Sequence, residues 1–369
     1  MKLLKWPDPY HAGLTISNDA EYLTLKGWLT LENFFRATLG RTGLFSTSLF
    51  LVNPDSEDPA MSLYGSDGTK SNDYDQISSL ITNKSIDGIH AIGNFDNADF
   101  RDYPIPQIIS DTAKMFSFDW WSNHGSANNQ QNIGHRELEN YQQGDLPNSP
   151  FYSVNYAREL GINYFWFDDN ALTRSKMGRF SEPFTTRSLR DGSTAVTFNR
   201  FRGLAGDYAP TLASLRRQIS DSTLQRLLHL KQGAVIYQHL GISQRRNKAI
   251  SKVVEVESDI PESAISFFQS LAEFQKKGLW IAKTSTFLNY THAVQNLSIH
   301  ESQGALVISA KFGSRVCLDY VSIITKHPIE QIYFVDAAHK MVNFTEFTNS
   351  KVKSNKYLTV LGGKRGELL

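Results

Sequence analysis

Acidic, histidine and amide side chains follow several apolar, β-branched runs of this sequence, at the points where those runs end. Asp19, for example, comes directly after the run that begins at Gly13. Because the carboxyl ends of parallel strands meet at one edge of a sheet, we expect these side chains to lie together. The positions concerned are Asn18 and Asp19, His90 and Asn94, Asn123 and His124, Asp168 and Asp169, Arg200 and Arg202, and Gln238 and His239.

A carboxylate among several imidazoles is suited to a divalent metal, and zinc is the metal that this donor set favours. Each residue also has a plain structural explanation, since an Asp at a strand end often caps a helix and a lone His is often a hydrogen-bonded structural residue. The repetition of the pattern at successive strand ends favours a shared active site.

The segment "FSFDWWSNHGSANNQQNIGHRELENY" is a polar loop that follows a pair of tryptophans. Aromatic faces cover the C–H patches of sugars and side-chain amides bond their hydroxyls, so we predict that Trp121, Asn94 and Asn128 contact a carbohydrate substrate. The alternative is a loop held together by its own asparagine hydrogen bonds.

Two arginines stand close together in "FNRFRG". The guanidinium fork suits planar oxyanions, so we predict that Arg200 and Arg202 stabilise an oxyanion or clamp a carboxylate or phosphate on the substrate. Ion pairing within the protein is the structural alternative.

The elements that must position these residues are apolar strands alternating with amphipathic segments, the pattern of a (β/α) barrel. We expect a distorted barrel of seven or eight strands, although Asp191-Gly192 in "TTRSLRDGSTAVTF" also fits an inserted hairpin. The predicted strands are Gly13–Ser17, Leu44–Val52, Gly88–Ile92, Met115–Trp121, Asn163–Phe167, Thr194–Asn199, Ala234–Tyr237 and Leu279–Lys283.

The texture of the sequence changes near Ala293 to short alternating segments separated by Gly, Asn and Pro. We therefore predict a barrel domain over 1–292 and a small antiparallel, sandwich-like β domain over 293–369.

The composition narrows the partners and the compartment. Lys and Arg total 38 against 37 Asp and Glu, so net charge gives no reason to expect a nucleic-acid partner. A single cysteine, Cys317, excludes an intrachain disulfide. Neither a membrane span nor an export signal is found, so we expect a cytoplasmic protein. The oligomeric state stays open.

Three of these segments resemble motifs of the polysaccharide deacetylase (NodB homology) family. "LTISNDAEYL" is similar to the family's strand ending in paired Asp residues, with Asn18 in place of the first. "IDGIHAIGNFDN" resembles the motif of two His ligands, with Asn94 at the second position. "GAVIYQHLG" is similar to the motif whose His is a general acid.

The resemblance implies a distorted (β/α) barrel that removes an N-acetyl or O-acetyl group from a sugar or polysaccharide precursor. Asp19 and His90 would hold zinc, His124 would supply the missing imidazole, and His239 would protonate the leaving group. The catalytic base would be Asp168, Asp169 or Glu21.

Two further functions remain open. One is a metal-independent glycoside hydrolase that uses two carboxylates, such as Asp19 with Asp168 or Asp169. The other is a barrel that has lost catalysis and binds a glycan, which the replacements at Asn18 and Asn94 favour.

Overall fold

The structure is a computed structural model that describes the chain over most of its length. The described residues are 1–40, 45–125, 127–134, 142–167, 184–202, 209–245, 253–302, 305–311, 316–335, 341–345, 347–352 and 356–362.

A large, mostly parallel sheet forms the centre of the molecule. Its strands lie in the order β10-β2-β3-β5-β6-β7-β9-β8, with β13 on the edge of β2 and β4 on β3. The strands are β2 (Ala12–Asn18), β3 (Ser46–Val52), β4 (Ser62–Tyr64), β5 (Ile86–His90), β6 (Trp120–Ser122), β7 (Tyr164–Trp166), β8 (Phe184–Ser188), β9 (Thr194–Phe198), β10 (Gly233–Gln238) and β13 (Leu279–Ile281).

All eight predicted strands are present, and the prediction of a mixed α/β architecture is confirmed. The Asp191-Gly192 segment joins β8 to β9 as an antiparallel hairpin. One strand boundary was wrong, because Met115 ends a helix and the strand begins at Trp120.

Helices alternate with these strands and cover one face of the sheet. The helices are α1 (Leu25–Leu39), α2 (Tyr74–Thr82), α3 (Ile105–Met115), α4 (Val154–Glu159), α5 (Leu215–Gln218), α6 (Asp221–Leu230), α7 (Glu262–Lys276) and α8 (Thr284–Asn296). Thr24 caps α1 by accepting the Gly27 N–H at 2.9 Å, and Gly40 ends that helix in the left-handed conformation. Within the described part of the chain, no helix has the length and apolar character needed to cross a membrane.

The opposite face of the sheet carries a second, aromatic core. Trp120, Tyr164, Trp166 and Tyr237 belong to it. Gly88 permits this packing, because a Cβ there would lie 2.3 Å from the Trp120 ring.

The two ends of the sheet order are joined by backbone hydrogen bonds. Phe201, just after β9, donates its N–H to Val235 at 2.7 Å and accepts the Tyr237 N–H at 3.1 Å, and both partners belong to β10.

Among the described residues after Asn296, the regular elements are strands, which lie in two four-stranded sheets, β14-β15-β17-β18 and β1-β16-β20-β19. The pairing of β15 with β17 is parallel, so the expectation of a wholly antiparallel fold was wrong. The N-terminal strand also joins this region by pairing with β16. The strands are β1 (Lys2–Leu3), β14 (Leu297–Ser302), β15 (Ala305–Ala310), β16 (Ser322–Thr325), β17 (Gln331–Val335), β18 (Met341–Phe344), β19 (Phe347–Val352) and β20 (Lys356–Leu361), while β11 (Ile242–Arg245) and β12 (Val253–Glu255) form a separate hairpin.

Candidate metal centre

The carboxyl ends of four strands bring together the residues of one buried cluster. Glu21 follows β2, His90 ends β5, His124 lies two residues after β6, and His239 follows β10. The residues after two of these positions, Tyr22 and Ala91, have positive φ of 58° and 48°. Left-handed backbone at non-glycine residues costs about 1–2 kcal/mol, and such strain concentrates at functional sites.

Three atoms of this cluster converge on one point. His90 Nε2 lies 2.9 Å from His124 Nδ1, and each of these nitrogens lies 3.2 Å from Glu21 Oε1. A tetrahedral zinc with bonds of ~2.0–2.1 Å requires ligand atoms about 3.3 Å apart. Glu21, His90 and His124 therefore have the atoms and spacing of a metal triad.

An unpartnered polar atom at the same place supports this interpretation. Glu21 Oε2 is buried and has no hydrogen-bond partner among the described residues. Buried polar atoms are ordinarily satisfied, so this oxygen fits a role in binding an ion.

Charge at the triad is set by its own members. Burial opposes ionisation of Glu21, but His90, His239 and His124 outweigh it and hold the pKa of that carboxyl well below its usual range. Burial likewise opposes the charged form of His124, but Asp96 and Glu21 outweigh it and raise its pKa to about 10. The carboxylates thus favour positive charge at the position where a metal would lie.

Asp19 is buried beside the triad and is bonded to an arginine. Arg200 Nη1 and Nη2 donate to the two Asp19 oxygens at 2.6 and 2.8 Å. The Arg200 guanidinium also lies 3.6 Å from the Trp166 ring and 4.1 Å from the Tyr237 ring. The structure therefore has Asp19 as the partner of Arg200, while Glu21 occupies the position next to both imidazoles that we expected Asp19 to fill.

His239 lies on the other side of Glu21. Its Nδ1 is 3.0 Å from the Pro210 carbonyl, so this nitrogen carries a proton and donates it. Its Nε2 lies 3.2 Å from the Tyr237 hydroxyl and 3.4 Å from Glu21 Oε1. Nε2 is thus the nitrogen that faces the cluster.

The remaining predicted residues serve other contacts. Asn18 donates to Thr47 at 2.7 Å and accepts the Leu240 N–H. Asn94 donates to Asp55 and Asp58, each at 3.3 Å. Neither amide points to the triad.

The expectation of a sugar-binding surface at Trp121 does not fit its position. Trp121 is fully buried and its indole N–H donates to Asn123 at 2.8 Å. Asn128 is exposed and donates to the Asp96 carbonyl, while Arg202 is buried with its guanidinium 4.8 Å from the Tyr237 ring. Asp168 and Asp169 lie outside the described residues.

The asparagines of the polar loop hold its own backbone. Asn132 accepts the His124 N–H at 3.0 Å and donates to the His124 carbonyl at 2.6 Å. Asn129 accepts the Phe95 N–H at 3.0 Å and donates to the Gly125 carbonyl at 3.0 Å. These contacts match the structural interpretation of this loop.

No family model matches the chain, and neither a curated protein nor a solved structure matches it.

Proposed function

We propose that this protein is a metal-dependent hydrolase that removes an N-acetyl or O-acetyl group from a sugar or polysaccharide precursor. The observation that carries the proposal is the convergence of Glu21 Oε1, His90 Nε2 and His124 Nδ1 at mutual distances of 2.9–3.2 Å. Two His and one carboxylate are the ligand set of several zinc hydrolases, so zinc is the proposed metal.

A zinc ion bound there would polarise an acyl carbonyl and lower the pKa of a bound water to about 7. The protein's own groups supply the proton transfers. Asp19 is the carboxylate outside the triad that lies within 4.8 Å of both Glu21 and His239, counted between their nearest ligand atoms. We assign it as the proton acceptor, with Arg200 as its counter-charge.

His239 is the proposed general acid. Because Pro210 holds its Nδ1 proton, Nε2 is the nitrogen that exchanges a proton with substrate. In the reaction, the water oxygen bonds to the acyl carbon and its proton goes to Asp19. The carbon–nitrogen or carbon–oxygen ester bond then breaks, and His239 protonates the departing amine or hydroxyl. Acetate and the deacylated sugar are released.

The sugar substrate class and the closed barrel rest on the resemblance to polysaccharide deacetylases. The hydrogen bonds of Phe201 to β10 support closure, since they join the strand order β10 to β9 into a ring. The buried aromatic face of the sheet would then be the barrel interior.

The test is acetate release from a panel of N- and O-acetylated sugars. We expect release that is abolished by a chelator and restored by zinc, and that is lost in Glu21→Gln. Glu57→Gln is the matched control, because it makes the same charge change at an exposed position.

Three results would overturn the proposal. Acetate release that a chelator does not affect would exclude the metal mechanism. Cleavage of glycosidic bonds by metal-free protein would indicate a glycoside hydrolase. Binding of glycans with no turnover in the zinc-loaded protein would indicate a binding protein.

A further inference from the structure

Asp96 contacts the candidate metal centre from outside the triad. Its Oδ1 lies 3.4 Å from His124 Nε2, the ring nitrogen that points away from His90 and Glu21. Because both nitrogens of a neutral imidazole cannot carry a proton, whatever holds a proton on Nε2 leaves a lone pair on Nδ1.

His90 has the reverse arrangement. Its Nδ1 lies 3.5 Å from Asp19 Oδ1, and its Nε2 is the atom that faces His124 and Glu21. The two imidazoles therefore direct opposite nitrogens to the common point, and each has a different carboxylate behind it.

The asparagine loop holds the Asp96 carboxylate in position. Asn129 donates to Asp96 Oδ1, and the Asp96 N–H donates to Asn94 Oδ1 at 3.1 Å. Asn132 bonds the backbone of His124 on both sides. The asparagines that bind no substrate thus fix the geometry between Asp96 and His124.

We propose that Asp96 is a positioning residue that fixes His124 as the Nε2–H tautomer, so that His124 binds metal through Nδ1 while His90, backed by Asp19, binds through Nε2. This inference rests on the proposed metal centre and adds how its ligands are oriented. A carboxylate behind a His ligand orients the ring and raises its basicity, and its loss ordinarily weakens metal binding by about 10- to 100-fold.

The first test is the zinc dissociation constant, measured by competition with a chromophoric chelator at fixed pH. We expect Asp96→Ala to raise it about 10- to 100-fold and Asp96→Asn, which keeps an acceptor oxygen without the charge, to raise it less. Asp99→Ala is the matched control, because it removes a carboxylate three residues away whose partner is Arg101. We expect it to change the constant less than about 2-fold.

The second test reads the tautomers directly. In zinc-loaded protein with ¹⁵N-labelled histidine, nitrogen shifts should show metal on Nδ1 of His124 and on Nε2 of His90. Metal on the same nitrogen of both rings would overturn the inference, as would equal zinc affinity of Asp96→Ala and Asp99→Ala. In both cases the hydrolase proposal would stand, whereas wild-type protein that binds no zinc would overturn the metal centre itself.

Discussion

Removal of the Asp19 charge should destabilise the protein far more than removal of a surface carboxylate. Asp19 is 1% exposed and Arg200 is also 1% exposed, and two hydrogen bonds of 2.6 and 2.8 Å join them. Asp19→Asn preserves the shape of the side chain but leaves the Arg200 guanidinium buried without a counter-charge.

The expected magnitude follows from this burial. Breaking a buried ion pair by removal of one partner costs about 3–5 kcal/mol, because the other charge stays desolvated. Arg200 also donates to Ser17 and Ser122, each at 3.1 Å, and stacks on Trp166, which moderates the loss. We therefore expect Asp19→Asn to lower the free energy of unfolding by about 3 kcal/mol.

Urea unfolding at pH 7, followed by tryptophan fluorescence, measures this change. The control is Asp99→Asn, whose ion pair with Arg101 is exposed, with side-chain exposures of 36% and 59%. Exposed pairs contribute less than about 1 kcal/mol. The double variant Asp19→Asn with Arg200→Met should lose less than the sum of the single changes, since it leaves no buried charge. Equal effects of Asp19→Asn and Asp99→Asn would refute the reasoning.

Three other changes have defined outcomes. Burial raises the pKa of Asp58 to about 6, so wild type should lose about 3 kcal/mol of stability as pH rises from about 4 to about 6, and Asp58→Asn should remove that loss when unfolding is measured across this range. Tyr237→Phe deletes the hydroxyl 3.2 Å from His239 Nε2, so the pH profile of acetate release should shift while zinc affinity is kept; an unchanged profile would refute this role for the hydroxyl. Gly88→Ala places a Cβ against Trp120 and should cost about 1–3 kcal/mol in thermal unfolding, and a neutral effect would contradict the packing.

The strands of the sheet were predictable because they are short, apolar and rich in β-branched residues. Helix α3 was not predicted, since its isoleucines favour strand locally. The buried positions Ile105, Ile108, Ile109 and Thr112 nevertheless have helical spacing. Helix α8 is rich in Thr, Ser and Asn, which have modest helix propensity, and it forms because one stripe of its residues is buried against the sheet and the C-terminal strands.

The candidate site was predictable in location but not in detail. The strand-end pattern indicated His90, His124 and His239, and the structure brings them around one carboxylate. That carboxylate is Glu21, which the sequence suggested only as a base. Its direction depends on the left-handed turn at Tyr22, and local sequence gives no signal for such a turn at a tyrosine.

Burial of the tryptophans also depended on tertiary structure. Trp120 and Trp121 alternate on one strand, so a sugar-binding interpretation required one face to be open. In the structure both faces are covered, and both rings are fully buried. The sequence pattern alone does not distinguish a strand covered on two faces from one covered on one.

The central claim is that Glu21, His90 and His124 hold a divalent metal, and elemental mass spectrometry of the purified protein tests it most directly. We predict about one zinc per chain in wild type and in the control Glu57→Gln, and loss of that zinc in Glu21→Gln and His124→Ala. Metal-free wild-type protein that takes up no zinc, or zinc retained in full by both triad variants, would contradict the claim.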